Sequence, residues 1–148
     1  LKENWVQGCS LETVLVDSTS TDTRIKDNRF TDGQHYGVVL EGAFNKVVGN
    51  TIAGHMFDGV LVASKMNTIS LNTCNNNANG IYVAKENGDH NSLTGNTCYQ
   101  NSGYGININS LENAGNVATG NTSRDNGVAD IRFVPGNIVE TNNAHTIV

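Results

Sequence analysis

An asparagine returns through this chain at a nearly fixed distance, and no other feature constrains the fold as tightly. Asn28, Asn50, Asn72, Asn96, Asn121 and Asn142 line up in one column. With Cys9 taken as the first member, the spacings are 19, 22, 22, 24, 25 and 21 residues. Three residues before each member stands Val6, Ile25, Val47, Ile69, Leu93, Ala118 or Val139. Two residues after stands Leu11, Phe30, Ile52, Cys74, Cys98, Ser123 or Ala144. Farther along each period, Val38, Val60, Ile81, Ile106 and Ile131 precede Leu40, Val62, Val83, Ile108 and Phe133 by two residues. Val14 and Val16 fit the same columns over a shorter connection.

Apolar residues at i and i+2 are the signature of a strand with one buried face, and no segment carries a 3.6-residue face long enough for a helix. Each period therefore predicts three short strands joined by corners, which is one flat coil. Successive coils pair in parallel about 4.8 Å apart, so six intervals span roughly 30 Å. A lone coil buries nothing, and stability must come from stacking. Composition agrees: Thr, Val and Ile suit pleated strands, while abundant Asn and 16 Gly supply corners, against a single Pro. The predicted interior includes Ile52, Val60, Val62, Ile69, Leu71, Ile81, Val83, Leu93, Ile106 and Ile108.

The Asn column has a physical rationale. A buried corner strands backbone polar groups, and an inward amide can bond them and its neighbours above and below. Asn also tolerates left-handed backbone. Gly37, Gly59, Gly80 and Gly105 mark a second kind of corner, with Asp130 in that column in the last full coil.

Units such as Asn45-Lys-Val-Val-Gly-Asn-Thr-Ile and Gly59-Val-Leu-Val have counterparts in every coil. With them the chain resembles the parallel β-helix repeat proteins of the pectin-lyase-like superfamily over nearly its whole length. The resemblance implies an all-β, right-handed parallel β-helix of six to seven coils. That superfamily includes pectate lyases, polygalacturonases, mannuronan epimerases, phage tailspike depolymerases and non-catalytic surface proteins, so the fold does not choose an activity. Residues 1–148 read as one β-helix fragment whose two ends both fall inside a coil. Flanking domains or neighbouring chains, a homotrimer being one arrangement, are expected to cover the terminal ladders.

The net charge is −5, with nine Lys and Arg scattered along the chain. That pattern gives no basic face for nucleic acid or anionic lipid. Apolar runs of about four residues fall far short of the ~20 that cross a bilayer as a helix.

In the superfamily, substrate lies in the groove beside the strand that contains Gly59-Val-Leu-Val. Its outward column reads Leu15, Val39, Leu61, Tyr82, Asn107 and Arg132, and the next reads Asp17, Glu41, Ala63, Ala84, Asn109 and Val134. Asp17 and Glu41 stack one coil apart, roughly 5 Å. Carboxylates so placed can run retaining glycoside hydrolysis or hold Ca²⁺, although two solvated acids on an exterior strand is the plainer reading. No other cofactor or metal is implied. The loops entering the strand carry His35, Tyr36, His55, Phe57, Asp58 and Tyr104; they suit sugar stacking and acid–base work, or simply cap the coil edge. Arg24-Ile25-Lys26 repeats the letters of a polygalacturonase motif whose other three members are absent, and the Asp-Pro-His-Asp motif of the epimerases is absent too.

Cys74 and Cys98 share an inward column, without a CxxC pattern, and read with Cys9 as packing residues. The expectation is a glycan-contacting module of a phage tailspike or secreted polysaccharide-acting protein, located outside the cell, on its surface or on a virion. Its contact surface would be Tyr82, Tyr104, Asn107 and Arg132. The alternative is a non-catalytic spacer or stalk.

Overall fold

The computed structural model describes residues 1–84, 86–110 and 114–148. The chain winds as an all-β parallel solenoid of about six turns with three parallel sheets. Sheet A stacks Arg24–Lys26, Lys46–Val48, Thr68–Ser70, Ser92–Thr94, Val117–Thr119 and Ile138–Glu140. Sheet B stacks Trp5–Gln7, Arg29–Thr31, Thr51–Ala53, Thr73–Asn75, Thr97–Tyr99, Thr122–Arg124 and Asn143–Ala144. Sheet C stacks Val14–Val16, Val38–Leu40, Val60–Val62, Ile81–Val83, Tyr104–Ile108 and Ala129–Phe133. The chain passes from C to A to B and back to C. Most strands hold three residues; those of sheets A and B send their central side chain inward, and those of sheet C send the two flanking ones, such as Val60 and Val62 or Ile81 and Val83.

The interior is a set of apolar columns one residue deep. Ile25, Val47, Ile69, Leu93 and Ala118 line sheet A, and Phe30, Ile52, Cys74, Cys98 and Ser123 line sheet B, each at most 1% exposed. The column of sheet B shrinks from a ring to a hydroxyl, and the Ser123 hydroxyl, buried at its end, donates to the Asp130 carbonyl. Nine of the ten residues predicted for the interior are buried; Leu71 is not, at 66% exposed. It sits at the corner itself, with φ of +56°, which turns its side chain away from the core.

All three corners use one device. A residue with left-handed φ is followed by a side chain that points inward. Between sheets A and B the left-handed positions are Glu3, Asp27, Gly49, Leu71, Gly95, Gly120 and Thr141. The inward residues after them are Asn4, Asn28, Asn50, Asn72, Asn96, Asn121 and Asn142. The left-handed turn thus belongs to the residue before the asparagine, which corrects its expected assignment to the column itself. In each rung the Oδ1 accepts both the backbone N–H and an Nδ2–H from the preceding coil: Asn72 Oδ1 takes Asn50 N at 2.9 Å and Asn50 Nδ2 at 3.0 Å. Its own Nδ2 donates to the Val47 carbonyl at 2.8 Å and to Asn96 Oδ1 at 3.1 Å. The corner is dry, and these bonds replace water.

A second ladder, which the single Asn column did not predict, turns sheet C into sheet A through Asn45, Asn67, Asn91, Asn116 and Asn137. A third turns B into C through His55, Asn77, Asn101 and Asn126. Their signal was present in the sequence as Asn at intervals of five, as in Asn67, Asn72 and Asn77.

The first coil corrects the register at the amino-terminal end. Val6 pairs with Phe30, not Ile25, because Trp5–Gln7 belongs to sheet B. Asn4, not Cys9, opens the first ladder, its N–H donating to Asn28 Oδ1 at 2.9 Å. Cys9 stands in the third corner instead, where its carbonyl accepts the Gln34 N–H. Leu11 is 69% exposed and leaves the core column it was expected to fill. The glycines Gly37, Gly59 and Gly80 have ordinary φ. They are required because a Cβ there would lie 2.5–2.7 Å from the carbonyl oxygen of the next glycine up the stack.

Candidate functional site

The outward face of sheet C keeps the predicted order. Leu15, Val39, Leu61, Tyr82, Asn107 and Arg132 are partners in register from coil to coil. The four residues expected to meet a sugar come together at the carboxy-terminal end of this face. The Arg132 guanidinium donates through Nη1 to Asn107 Oδ1 at 3.1 Å and to Asn109 Oδ1 at 2.8 Å. It also lies 5.9 Å from the centroid of the Tyr104 ring. Asn109 Nδ2 donates to the Tyr82 hydroxyl at 3.3 Å. Asn109 is therefore a fifth member, from the neighbouring outward column. Asn107 is only 7% exposed, so it holds Arg132 in place more than it faces solvent. The result is a strip of two tyrosine rings, two amides and one fixed cation.

A second group occupies the loops that enter sheet C nearer the amino terminus. His35, Tyr36 and Phe57 pack as a three-ring cluster with centroids 4.8–5.2 Å apart. Glu12 Oε1 lies 2.8 Å from His35 Nδ1. The pair is close but not aligned as a hydrogen bond. Asp58 is buried beside these rings, and burial pushes its carboxyl above the usual range. Asn79 opposes that shift by donating both its N–H and its Nδ2–H to Asp58 Oδ1. Burial likewise raises the Tyr36 phenol, helped by the nearby acids Asp58 and Glu12.

His55 does not join this group. It is 3% exposed and replaces an asparagine in the third ladder. Its backbone N–H and its Nδ1 both meet Asn77 Oδ1, at 3.0 and 3.2 Å. Since that oxygen only accepts, Nδ1 carries the proton, and Nε2 accepts from the Thr13 hydroxyl at 3.2 Å. The ring lies against Gly33, where a Cβ would come within 2.5 Å of His55 Cδ2. Loop position in the sequence suggested acid–base work; the ladder register shows a packing role.

Asp17 and Glu41 do occupy adjacent coils, since Val16 pairs with Leu40. The Asp17 carboxylate folds back onto its own turn, accepting the Thr19 N–H at 2.9 Å and hydroxyl at 2.7 Å and the Ser20 hydroxyl at 3.2 Å. Those bonds hold its pKa below the ordinary value, the wrong direction for a proton donor in glycoside cleavage. Glu41 is exposed and, with Ser18 next to Asp17, lines an open cavity at the connections from sheet C to sheet A. Among the described residues, no three His, Cys, Asp or Glu side chains converge as metal ligands. Arg24-Ile25-Lys26 lies in sheet A, on a different face.

Cys74 and Cys98 pair in register as buried free thiols. The contact with Cys74, together with burial, drives the Cys98 thiol well above its ordinary pKa, so it does not act as a thiolate.

No curated protein matches the chain. The family described as right handed beta helix region matches residues 7–147. The three ladders, the parallel sheets and this match agree, and the chain belongs to the right-handed β-helix family.

Proposed function

We propose that this β-helix is a glycan-contacting module of a secreted polysaccharide-acting protein or a phage tailspike, working outside the cell, on its surface or on a virion. The contact surface is Tyr82, Tyr104 and Arg132, with the buried Asn107 holding the guanidinium behind it. The observation that carries the reading is the fixed Arg132 guanidinium beside the Tyr104 ring. A ring face meets the apolar side of a pyranose, and a guanidinium pairs with a sugar carboxylate. The coil repeat of about 4.8 Å is close to the length of one sugar residue, so a glycan can run along the stack.

Acidic and neutral oligosaccharides should be titrated while the amide resonances of Tyr82 and Arg132 are followed. The expected result is a saturable shift of both with the acidic ligands, lost in Arg132→Ala. Shifts confined to other faces, or none at millimolar ligand, would overturn the reading.

One observation favours a second reading, a non-catalytic spacer. Arg132, Asn107, Asn109 and Tyr82 bond one another, as they would if the strip served only to rigidify the last coils. In that case Arg132→Ala lowers stability and changes no binding.

A further inference from the structure

Three of the chain's asparagines are followed by glycine: Asn79, Asn87 and Asn126. Glycine has no Cβ to shield its backbone nitrogen, which can therefore approach the side-chain amide carbon of the residue before it. The fold treats these dipeptides differently. Asn79 donates through Nδ2 to Asp58 Oδ1 at 2.7 Å and accepts the Tyr104 N–H at 2.8 Å, while the Gly80 N–H donates to the Tyr104 carbonyl. Asn126 is a rung of the third ladder. Its Oδ1 accepts the Asn101 N–H and an Asn101 Nδ2–H, its Nδ2 donates to Asp130 Oδ1 at 2.9 Å, and the Gly127 N–H donates to the Asn101 carbonyl.

Asn87 and Gly88 lie instead in the connection from sheet C to sheet A. Asn87 is exposed. Among the described residues, neither its side-chain amide nor the Gly88 N–H is bonded to another coil. Asn87 lines the open cavity of about 290 Å³ together with Glu41, Lys65 and Asp89, so water reaches its amide. Gly88 has a structural duty all the same. Its carbonyl accepts Asn116 Nδ2 at 2.7 Å, one of the bonds that hold the fully buried Asn116 in the ladder between sheets C and A.

We propose that Asn87 is a site of spontaneous deamidation, and that the fold protects Asn79 and Asn126 from the same reaction. The Gly88 nitrogen attacks Asn87 Cγ, and the new C–N bond closes a succinimide ring. The Cγ–Nδ2 bond breaks, and the amide nitrogen leaves as ammonia, carrying the proton of the Gly88 N–H. Water then opens the ring at either carbonyl, leaving aspartate or isoaspartate at position 87. No oxidant or reductant takes part. At Asn79 or Asn126 the same attack would first have to break the side-chain bonds between coils and free a glycine N–H that is paired to the next coil. Either product adds a carboxylate beside Glu41 and Asp89. Only isoaspartate lengthens the main chain, immediately ahead of the Gly88 carbonyl that Asn116 bonds, so only isoaspartate loosens that corner.

The test is to incubate the folded chain at mildly alkaline pH and map its peptides by mass, with isoaspartate detected by enzymatic methyl transfer. The peptide containing Asn87 should convert faster than those containing Asn79 and Asn126 by about tenfold or more, since protection follows the cost of opening the pairing. In urea all three should convert at comparable rates. Asn87→Gln should stop conversion at this place with the melting temperature unchanged, because the longer side chain closes its ring far less readily. Of the separated products, the isoaspartate form should melt below the parent and the aspartate form together with it. Conversion of Asn79 or Asn126 in the folded chain as fast as that of Asn87 would overturn the proposal. So would an Asn87 that stays intact in the folded chain yet converts in urea. Equal melting of the two products would overturn the consequence drawn for Asn116.

Discussion

Seven asparagines hold the corner between sheets A and B without a gap, whereas the corner between sheets B and C runs Cys9, Gly33 and His55 before its asparagines begin. The first corner repeats one hydrogen-bond pattern and carries no candidate chemistry. The second varies from coil to coil, and the loops leaving it carry His35, Tyr36, Phe57, Asp58 and Tyr104. A complete ladder fixes each coil's height and orientation on its neighbour. That rigidity lets the other corner depart from the pattern without the stack losing register.

The largest effect should come from the core that both corners enclose. Ile81 is fully buried in sheet C, paired in register with Val60 and Ile106. Ile81→Ala removes its contacts and leaves a cavity, at about 2–5 kcal/mol. Chemical denaturation measures it, and a loss below ~1 kcal/mol would mean that coils collapse onto a void more easily than this close packing implies.

Next comes the complete ladder. Asn72→Leu removes two accepted and two donated bonds inside a dry corner. The expected loss is about 1–3 kcal/mol, since the stranded Asn50 N–H and Val47 carbonyl find no water. An unchanged midpoint would show that these amides are decoration and would erase the contrast between the corners.

The irregular corner allows a sharper test, because its irregularities come as a matched pair. Gly33 is small where the His55 ring lies against it. Gly33→Ala should cost about 1–3 kcal/mol through overpacking. In a Gly33→Ala, His55→Asn double variant the shorter side chain removes the clash and can present Nδ2 to Asn77 and Oδ1 to the Gly33-position N–H, as the other rungs do. The double-mutant cycle should therefore show a coupling of about 1 kcal/mol or more, and simple additivity would mean that the two positions are not a pair.

Much of this was legible in the sequence, for a reason that also explains the errors. Columns of one residue type at a constant interval report a solenoid directly, so the parallel sheets, the interior and the outward strip from Leu15 to Arg132 follow from alignment. Alignment fails where a coil is shortened, and the short connection before Val14 shifted Trp5–Gln7 by one sheet and placed Cys9 in the wrong column. It also says nothing about which polar neighbours bond each other. That Asn107 and Asn109 occupy the Arg132 guanidinium, or that Glu41, Lys65 and Asp89 face a cavity, depends on side-chain directions that no spacing records. Leu71 misled because it lies between two core columns, and only backbone handedness sends it outward.

The smallest effect is the one that most directly separates the two corners: an amide ladder is indifferent to pH, while a ladder containing an imidazole is not. Burial holds the pKa of His55 below its ordinary 6.5, partly opposed by the Asn77 contact. The folded state thus keeps the ring neutral at a pH where the unfolded chain takes up a proton. A folded pKa below the unfolded value gives stability that is present above pH ~6.5 and lost as pH falls toward the depressed value. Protonation would add a second N–H at Nε2 facing the Thr13 oxygen and a charge within a dry corner. Asp58 works in the opposite sense: its raised pKa gives stability that is present at low pH and lost as pH rises through its folded value. The two are separated by comparing His55→Asn and Asp58→Asn with the parent protein in denaturation series from pH 4 to 8. His55→Asn should remove the loss of stability below pH ~6.5 that the parent shows, and Asp58→Asn should leave that loss in place. If the parent and His55→Asn decline together through that range, the imidazole is not the acid-sensitive rung, and the two corners do not differ in the way their residues imply.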